Sequence, residues 1–451
     1  LLPETGRDWR RFRRMSSSSF FRLPKVTVTN RAMSSSEKVF PMEPKIAVLY
    51  ATFPQPTETF VRRELRAMLD EGHEIIPFSI WRGGGGFHGV KVRKFRLREL
   101  WSLVWKLPVW LFRRPGAFVE VLAELWNHGI PSWQNWQETF LGFGFGLVRA
   151  EDFREQGFTS CHAVWSTLPA TAALVIHKLV GIDFSIGAHA YDVFRDGGDC
   201  LLPLKFSEAT FVRTSSESTR IRLLLMGLAP EKIVLIRRGL EKFPTIRKRD
   251  GDGTLCILSV GRLVPKKGYF LQLAIYRALA DAGISFKARI AGDGPLRIEL
   301  EAECARLDLG GVVTFCGALP RQEVALLQEK ADLFFFTGIS DDTGDRDGLP
   351  NVVPEAMAAG AIVLSSPTGG VTEAVTDGKS GFVLNPHEPG SWVNRVEKLL
   401  SSPNSLDDIR RMARSWTEDE FDVRKTASRL LRAFGAQSRD ISPKRSRKRL
   451  A

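Results

Sequence analysis

Two short stretches in the second half of the chain concentrate residue types that chemistry can use. Gly261-Arg262-Leu263-Val264-Pro265-Lys266-Lys267-Gly268 lies between an apolar run ending at Val260 and a helical pattern from about Tyr269. Glycine lets the backbone turn tightly there, and a helix N-terminus converges with two cations, which is how a protein neutralises a diphosphate without metal. Arg262 and Lys267 are the candidate ligands. The second stretch is Asp347-Gly348-Leu349-Pro350-Asn351-Val352-Val353-Pro354-Glu355-Ala356-Met357-Ala358-Ala359-Gly360. Pro354 suits a first helical turn and Gly360 a C-terminal stop, so Glu355 falls near a helix start with Asp347 in the loop before it. Both carboxylates then aim into one cleft, where they can accept hydrogen bonds from sugar hydroxyls. Taken singly, each feature has a plainer reading: a solvated strand-to-helix turn, a surface charge, a helix-start acid. The Asp345/Asp347 pair could hold a divalent ion. With Arg262 and Lys267 already supplying charge, a metal is redundant, and no cofactor is expected.

These loops need elements to position them. Residues 45–50 are an apolar run, 59–69 a helical pattern, Gly72-His73 a stop, and 74–80 a second apolar run. Strand, helix, glycine, strand is a βαβ unit. The pattern recurs with a strand at 163–165, a helix at 171–179 stopped by Gly181, and a strand at 184–188. After a polar linker, 247–253, a second series follows, with strands at 255–260, 287–291, 313–315, 332–336 and 362–364. The chain therefore reads as α/β, with a Rossmann-like domain at 45–246 and another at 254–405. Helices at 406–436 are expected to pack back toward the first, and 1–44 and 437–451 are tails. Parallel sheets bind ligands at the carboxyl ends of their strands, so two facing halves leave a cleft between them.

In this order the motifs resemble those of the retaining glycosyltransferases of family four, on the GT-B fold. Their pattern is G-R-L-x-x-x-K-G, then G-D-G-P, then an acid-x7-acid stretch ending E-A-M-A-x-G, then G-G-x-x-E. Here the second is Gly292-Asp293-Gly294-Pro295 and the fourth Gly369-Gly370-Val371-Thr372-Glu373. The likeness covers about residues 45–436. It implies that Arg262 and Lys267 bind the diphosphate of a nucleotide sugar, that Glu355 accepts the ribose hydroxyls, and that Asp347 contacts the transferred sugar. Gly261, Gly292, Gly294, Gly348, Leu349, Asn351 and Val352 would shape or line the donor site. His189, in Gly187-Ala188-His189-Ala190-Tyr191-Asp192, would lie beside that sugar, although a lone histidine is more often structural. Asp192, Glu58 and Thr59 would face the acceptor, or Glu58 and Thr59 merely cap a helix.

Two departures stand out. Asp347 takes a place where the family usually has Glu, and the shorter side chain reaches less far. The family's glycine pair in the first βα loop is replaced by residues 52–60, a variant that resembles a branch building exopolysaccharides and colanic-acid-like polymers. The implied reaction moves a hexose to an acceptor hydroxyl with its anomeric configuration kept. The departing phosphate oxygen takes the acceptor proton, and no protein nucleophile is needed. Catalysis rests on electrostatic stabilisation and orientation. Two rivals use the same fold: a sugar-nucleotide 2-epimerase, and a lipid- or nucleic-acid-binding scaffold on an inactive transferase. Intact Arg262, Lys267 and Glu355 speak against the scaffold.

The formal charge of +13 suggests nucleic acid until it is located. Residues 1–41 carry nine cations against three acids and 437–451 six against one, leaving about +2 on the body. Nucleic acid is therefore not an expected partner; solvated tails, or tails drawn to anionic lipid, are. The opening Leu1-Leu2-Pro3-Glu4-Thr5-Gly6 matches a sortase motif, which works near a C-terminus and so has no sorting role here. Five scattered cysteines without a C-x-x-C pair fit a reducing compartment, and the expected location is cytoplasmic or peripheral at the inner face of the cytoplasmic membrane. Residues 81–149 hold seven of the eleven tryptophans. The preferred expectation is that these rings fill the core of a helical insertion. The other is that Trp101, Trp105, Lys106, Arg113 and Arg114 form a face resting on lipid headgroups.

Overall fold

A strand buried on both faces needs an unbroken apolar run, and the central strand of each sheet has one. Ile46, Ala47, Val48 and Leu49 are at most 1% exposed, and Leu333–Phe336 is buried throughout. The computed structural model describes residues 44–440 except 56–57, 130–131, 190, 195–198, 200, 247–253, 343 and 345. Both extreme tails, the linker and Asp345 thus lie outside the described residues.

The N-terminal half builds one sheet from β1 (Ile46–Phe53), β2 (Ile75–Gly83), β3 (Gly85–Phe87), β4 (Val90–Lys94), β5 (Ser160–Ala163), β6 (Asp183–Gly187), β7 (Val212–Thr214) and β8 (Ile233–Leu235). Their order is β3-β4-β2-β1-β5-β6-β7-β8, parallel except for the β3/β4 pair. The C-terminal half builds a parallel sheet from β9 (Leu255–Val260), β10 (Phe286–Ala291), β11 (Val313–Gly317), β12 (Leu333–Phe336), β13 (Ile362–Ser365) and β14 (Phe382–Val383), in the order β11-β10-β9-β12-β13-β14. This is the GT-B arrangement of two doubly wound sheets. The strand order reverses between β1 and β5 in one half and between β9 and β12 in the other. Loops leaving those strands diverge and open the crevice in which such sheets bind ligands.

Helices cover both faces of each sheet. Helices Leu168–Val180 and Trp133–Glu155 enclose one apolar core of the N-terminal half. The other face is closed partly by the end of the chain: Val423, Ala427, Leu430 and Phe434 of helix Val423–Asp440 pack with Ile46, Val48 and Leu65.

Several expectations change. The strand placed at 163–165 runs instead from Ser160 to Ala163. Val164 still donates to the Leu49 carbonyl, but Ser166 is drawn into the loop by hydrogen bonds to Asp192. Strands β7 and β8 are too short to show a period, and glycine-rich β3 and basic β4 occupy a segment read as helical. The tryptophan-core reading is corrected. Trp110 is buried and donates its indole N–H to the Leu147 carbonyl, but Trp101, Trp105 and Trp126 are 75%, 62% and 90% exposed. Trp101, Trp105 and Phe112, then Val119, Leu122 and Trp126, recur at helical spacing and form outward stripes. Lys106 does not join that face: its ammonium turns inward to the Val148 carbonyl at 2.5 Å.

Candidate active site

At the carboxyl end of β9 the chain enters the Gly261–Gly268 loop. The loop is fixed from three sides. Gly261 donates to the Ala291 carbonyl and Leu263 to that of Asp293, while the Tyr269 hydroxyl donates to Gly261. Thr337, just after β12, donates through its hydroxyl to the Gly268 carbonyl at 3.0 Å. The helix Tyr269–Asp281 then starts with its free amide end toward the crevice. Gly292 and Gly294 stand behind this loop. Gly292 has a φ of +147° and comes so near Gly261 that a Cβ would lie 1.9 Å from its carbonyl oxygen. Gly294 presses likewise on Leu263. Their need for glycine is explained by backbone meeting backbone.

The acidic loop is carried to the same point by β12. Asp347 Oδ2 accepts from the Lys267 ammonium at 2.6 Å, and Oδ1 lies 3.7 Å from Lys266. Burial by itself would raise the Asp347 pKa, but Lys267, Lys266 and Arg262 hold it below the ordinary carboxylate value. These three cations and one carboxylate carry a formal +2 at a helix N-terminus. That charge complements a diphosphate. Gly369, at φ +61°, supports the loop from beneath, where a Cβ would come 1.8 Å from the Asp347 carbonyl oxygen, and Gly370 donates to the Gly348 carbonyl.

Glu355 lies in the first turn of the helix Val352–Ala359, which Asn351 precedes without a side-chain cap bond and Gly360 ends in the left-handed conformation. Its Oε1 accepts from Arg63 at 3.1 Å, on helix Thr59–Asp70 of the opposite half. The Arg63 side chain is nearly sealed, and burial lowers its pKa against the pull of Glu355. Gly348 faces the N-terminal half as well: a Cβ there would meet the His189 carbonyl at 3.0 Å. Leu349 is half-buried between two apolar clusters.

On the N-terminal wall, His189 is 3% exposed. Burial first, then Arg238, Arg213 and His162, depress its pKa well below that of a free histidine, so the ring is neutral. Its Nδ1 has no hydrogen-bond partner among the described residues, and its ring stands edge-on to Trp165 at 5.6 Å. The Asp192 carboxylate accepts from the His189 amide and from the amide and hydroxyl of Ser166. It shapes the histidine turn. Glu58 is the N-cap residue of helix Thr59–Asp70 but makes no side-chain cap bond, and burial raises its pKa. Thr59 is the first residue of that helix.

The structure thus gathers Arg262, Lys267, Asp347 and Glu355 at the C-terminal rim of the crevice, and His189, Glu58 and Thr59 along the N-terminal one. Sequence reasoning missed Arg63, Arg237 and Arg238. It quoted Glu373 as part of a motif without giving it a task. Glu373 Oε1 accepts from the Ser218 amide at 2.8 Å, and Oε2 pairs with Arg237, so this carboxylate latches the two halves together.

Residues 244–416 match the family described as glycosyl transferases group 1. The chain carries a group 1 glycosyltransferase domain. This glycosyltransferase is 25% identical over 420 residues to WcaL of Salmonella typhimurium, a glycosyltransferase assigned to colanic acid biosynthesis, spanning 84% of this chain and 96% of that one. It is 30% identical over 223 residues to the amylovoran biosynthesis glycosyltransferase AmsK of Erwinia amylovora, spanning 49% and 54%. Its fold matches Anabaena Alr3699/HepE, crystallised in complex with UDP, with a TM-score of 0.62 at 17% identity across 87% of this chain and 100% of that chain. The likeness extends over both halves of the glycosyltransferase.

Proposed function

We propose that the glycosyltransferase moves a hexose from a nucleoside diphosphate sugar to a hydroxyl of a polysaccharide or lipid-linked glycan precursor, with the anomeric configuration kept and without a metal. The observation that carries this reading is the formal +2 of Arg262, Lys266, Lys267 and Asp347 at the start of helix Tyr269–Asp281. A charged cradle built into the fold stabilises a leaving diphosphate with little reorganisation. Glu355 keeps one carboxylate oxygen beyond its bond to Arg63 for a ribose. Neutral His189 can donate or accept at the sugar without adding a charge. The relatives named for colanic acid and amylovoran biosynthesis support an exopolysaccharide precursor, and the UDP and UDP-glucose of the HepE crystals make uridine donors the first to try.

We also propose that it works as a peripheral protein at an anionic membrane surface. The exposed stripes of helices Leu103–Arg113 and Pro115–His128 support this, with Arg96, Arg98 and Arg114 exposed beside them. Among the described residues no helix is long and apolar enough to cross a membrane. Aromatic rings flanked by cations suit the headgroup layer.

The test has two arms. Nucleotide sugars are screened by thermal shift, where a donor at 100 times its dissociation constant stabilises by about 2.7 kcal/mol. The best donor is then turned over with excess chelator, and the product anomer is read by NMR. Inversion, or activity restored only by manganese, overturns the corresponding part. Sedimentation with anionic vesicles at low salt, weakened by Trp101→Ala with Trp105→Ala, supports the membrane reading. Equal behaviour with neutral vesicles counts against it.

A further inference from the structure

Four arginines of the N-terminal half are buried near the crevice, and three have carboxylate partners. Arg63 pairs with Glu355, Arg213 with both oxygens of Glu64, and Arg237 with Glu373. Arg238, in the segment after β8, is 8% exposed and has neither an ion pair nor a hydrogen bond among the described residues. Its guanidinium lies 3.6 Å from the ring centre of Phe60 and 5.0 Å from that of Trp165. Aromatic faces hold a cation in place, but they leave its in-plane N–H donors unused.

A buried cation without hydrogen-bonding partners is costly, and folds seldom retain one without something to meet it. The acids around it are engaged elsewhere or stand off. Glu64 is bound to Arg213 and Asp192 to Ser166 and His189, while Glu58 acts only through space. Arg238 keeps 8% of its surface exposed, so the side chain is not wholly enclosed. Trp165, whose ring centre lies 5.0 Å from the Arg238 guanidinium, also contacts the His189 ring, so Arg238 lies near the turn that faces Gly348.

We propose that Arg238, held against Phe60 and Trp165, binds an oxyanion on the acceptor, a sugar carboxylate or a phosphate. A planar guanidinium with a free edge matches either group through two parallel N–H···O bonds. Glu58 then stands next to it as the acceptor for a neighbouring hydroxyl. Arg238 is separate from the donor cradle, whose cations belong to the other half. The proposal rests on the transferase reading for the word acceptor, yet its test measures anion binding without turnover, so either can fail alone.

The full chain is titrated with sodium D-glucuronate, inorganic phosphate and neutral D-glucose at matched ionic strength, and melting temperature is followed. The expected result is stabilisation by glucuronate or phosphate and not by glucose, kept in Lys267→Ala, whose lost cation belongs to the donor cradle. Arg238→Met should weaken that response about 10- to 100-fold, the 1.5–3 kcal/mol of charge-assisted hydrogen bonds converted at about 1.4 kcal/mol per tenfold. Without ligand it should melt no lower than the parent, because it removes an unpaired buried charge. Arg238→Lys should keep part of the phosphate response and lose more of the carboxylate one, and it decides the matter if Arg238→Met does not fold. A response to glucuronate alone points to an acidic acceptor sugar, and one to phosphate alone to a phosphorylated acceptor. Anion binding unchanged in the Arg238 variants, lost only in Lys267→Ala, or absent from the parent overturns the proposal.

Discussion

The Lys267 ammonium sits 2.6 Å from Asp347 Oδ2, so the cation proposed for the donor diphosphate already has a carboxylate partner. Donor binding must share or displace that pairing. Lys267→Ala should weaken binding of the nucleoside diphosphate about 10- to 100-fold, whereas Asp347→Asn, which frees the ammonium, should leave that affinity equal or tighter while lowering kcat. Calorimetry and steady-state kinetics separate the two. Unchanged affinity in Lys267→Ala removes this residue from the diphosphate site.

Glu373 joins the two halves, as the Arg63–Glu355 pair also does. Glu373→Ala should leave Arg237 with Glu420, 3.8 Å away, and should free the Ser218 amide. A loss of about 1–3 kcal/mol is expected, with faster hydrogen exchange in the first turn of helix Glu217–Leu225. Adding Arg237→Met should recover part of the loss. No change in exchange at Ser218 would mean the latch is not closed in solution.

Lys205 and Asp199 form a fully buried pair at 2.7 Å, and the ammonium also donates to the carbonyls of Ser166 and Thr167. It thereby holds the loop that Asp192 grips. Lys205→Met should cost about 3–5 kcal/mol in urea unfolding, since it strands a buried carboxylate. Lys205→Met with Asp199→Leu should regain most of it. A double variant as weak as the single one would show that the carbonyl bonds matter more than the charge.

Stability should fall as solutions are acidified below the ordinary histidine pKa. Burial, then Arg213, lowers the His162 pKa from 6.5 to about 3, and His189 is lowered in the same direction. Between those values the unfolded chain binds protons that the folded one excludes. Each ring therefore contributes stability that is complete above about pH 6.5 and is lost toward the folded pKa, by up to about 1.4 kcal/mol per pH unit. Urea midpoints at pH 7 and pH 5 check this, and His162→Gln should flatten the difference. An unchanged slope would place the His162 ring in contact with water.

How much was legible depends on how local the cause is. The helix from Thr59, the stop at Gly181 and the strand at Leu255–Val260 follow from nearest-neighbour patterns, and all three stand where the sequence puts them. So do the Pro354 and Gly360 signals of the helix carrying Glu355. The tryptophan segment defeats the same reasoning, because composition cannot say whether an apolar stripe meets a core or water. Only the packing of helix Trp133–Glu155 inside, with nothing over Trp101 or Trp126 among the described residues, settles that.

The sequence by itself determined the α/β alternation and placed the two candidate cations and the two acids in their loops, since turn glycines, charges and helix signals lie within a few positions of one another. Tertiary structure alone decided which charge answers which. Asp347 and Lys267 are 80 residues apart, Glu355 and Arg63 are 292 apart, and Glu373 reaches Arg237 across the crevice. It also left Arg238 as the buried arginine without a partner among the described residues. Such pairings depend on where the packed cores set the two sheets, and no short window of residues contains them.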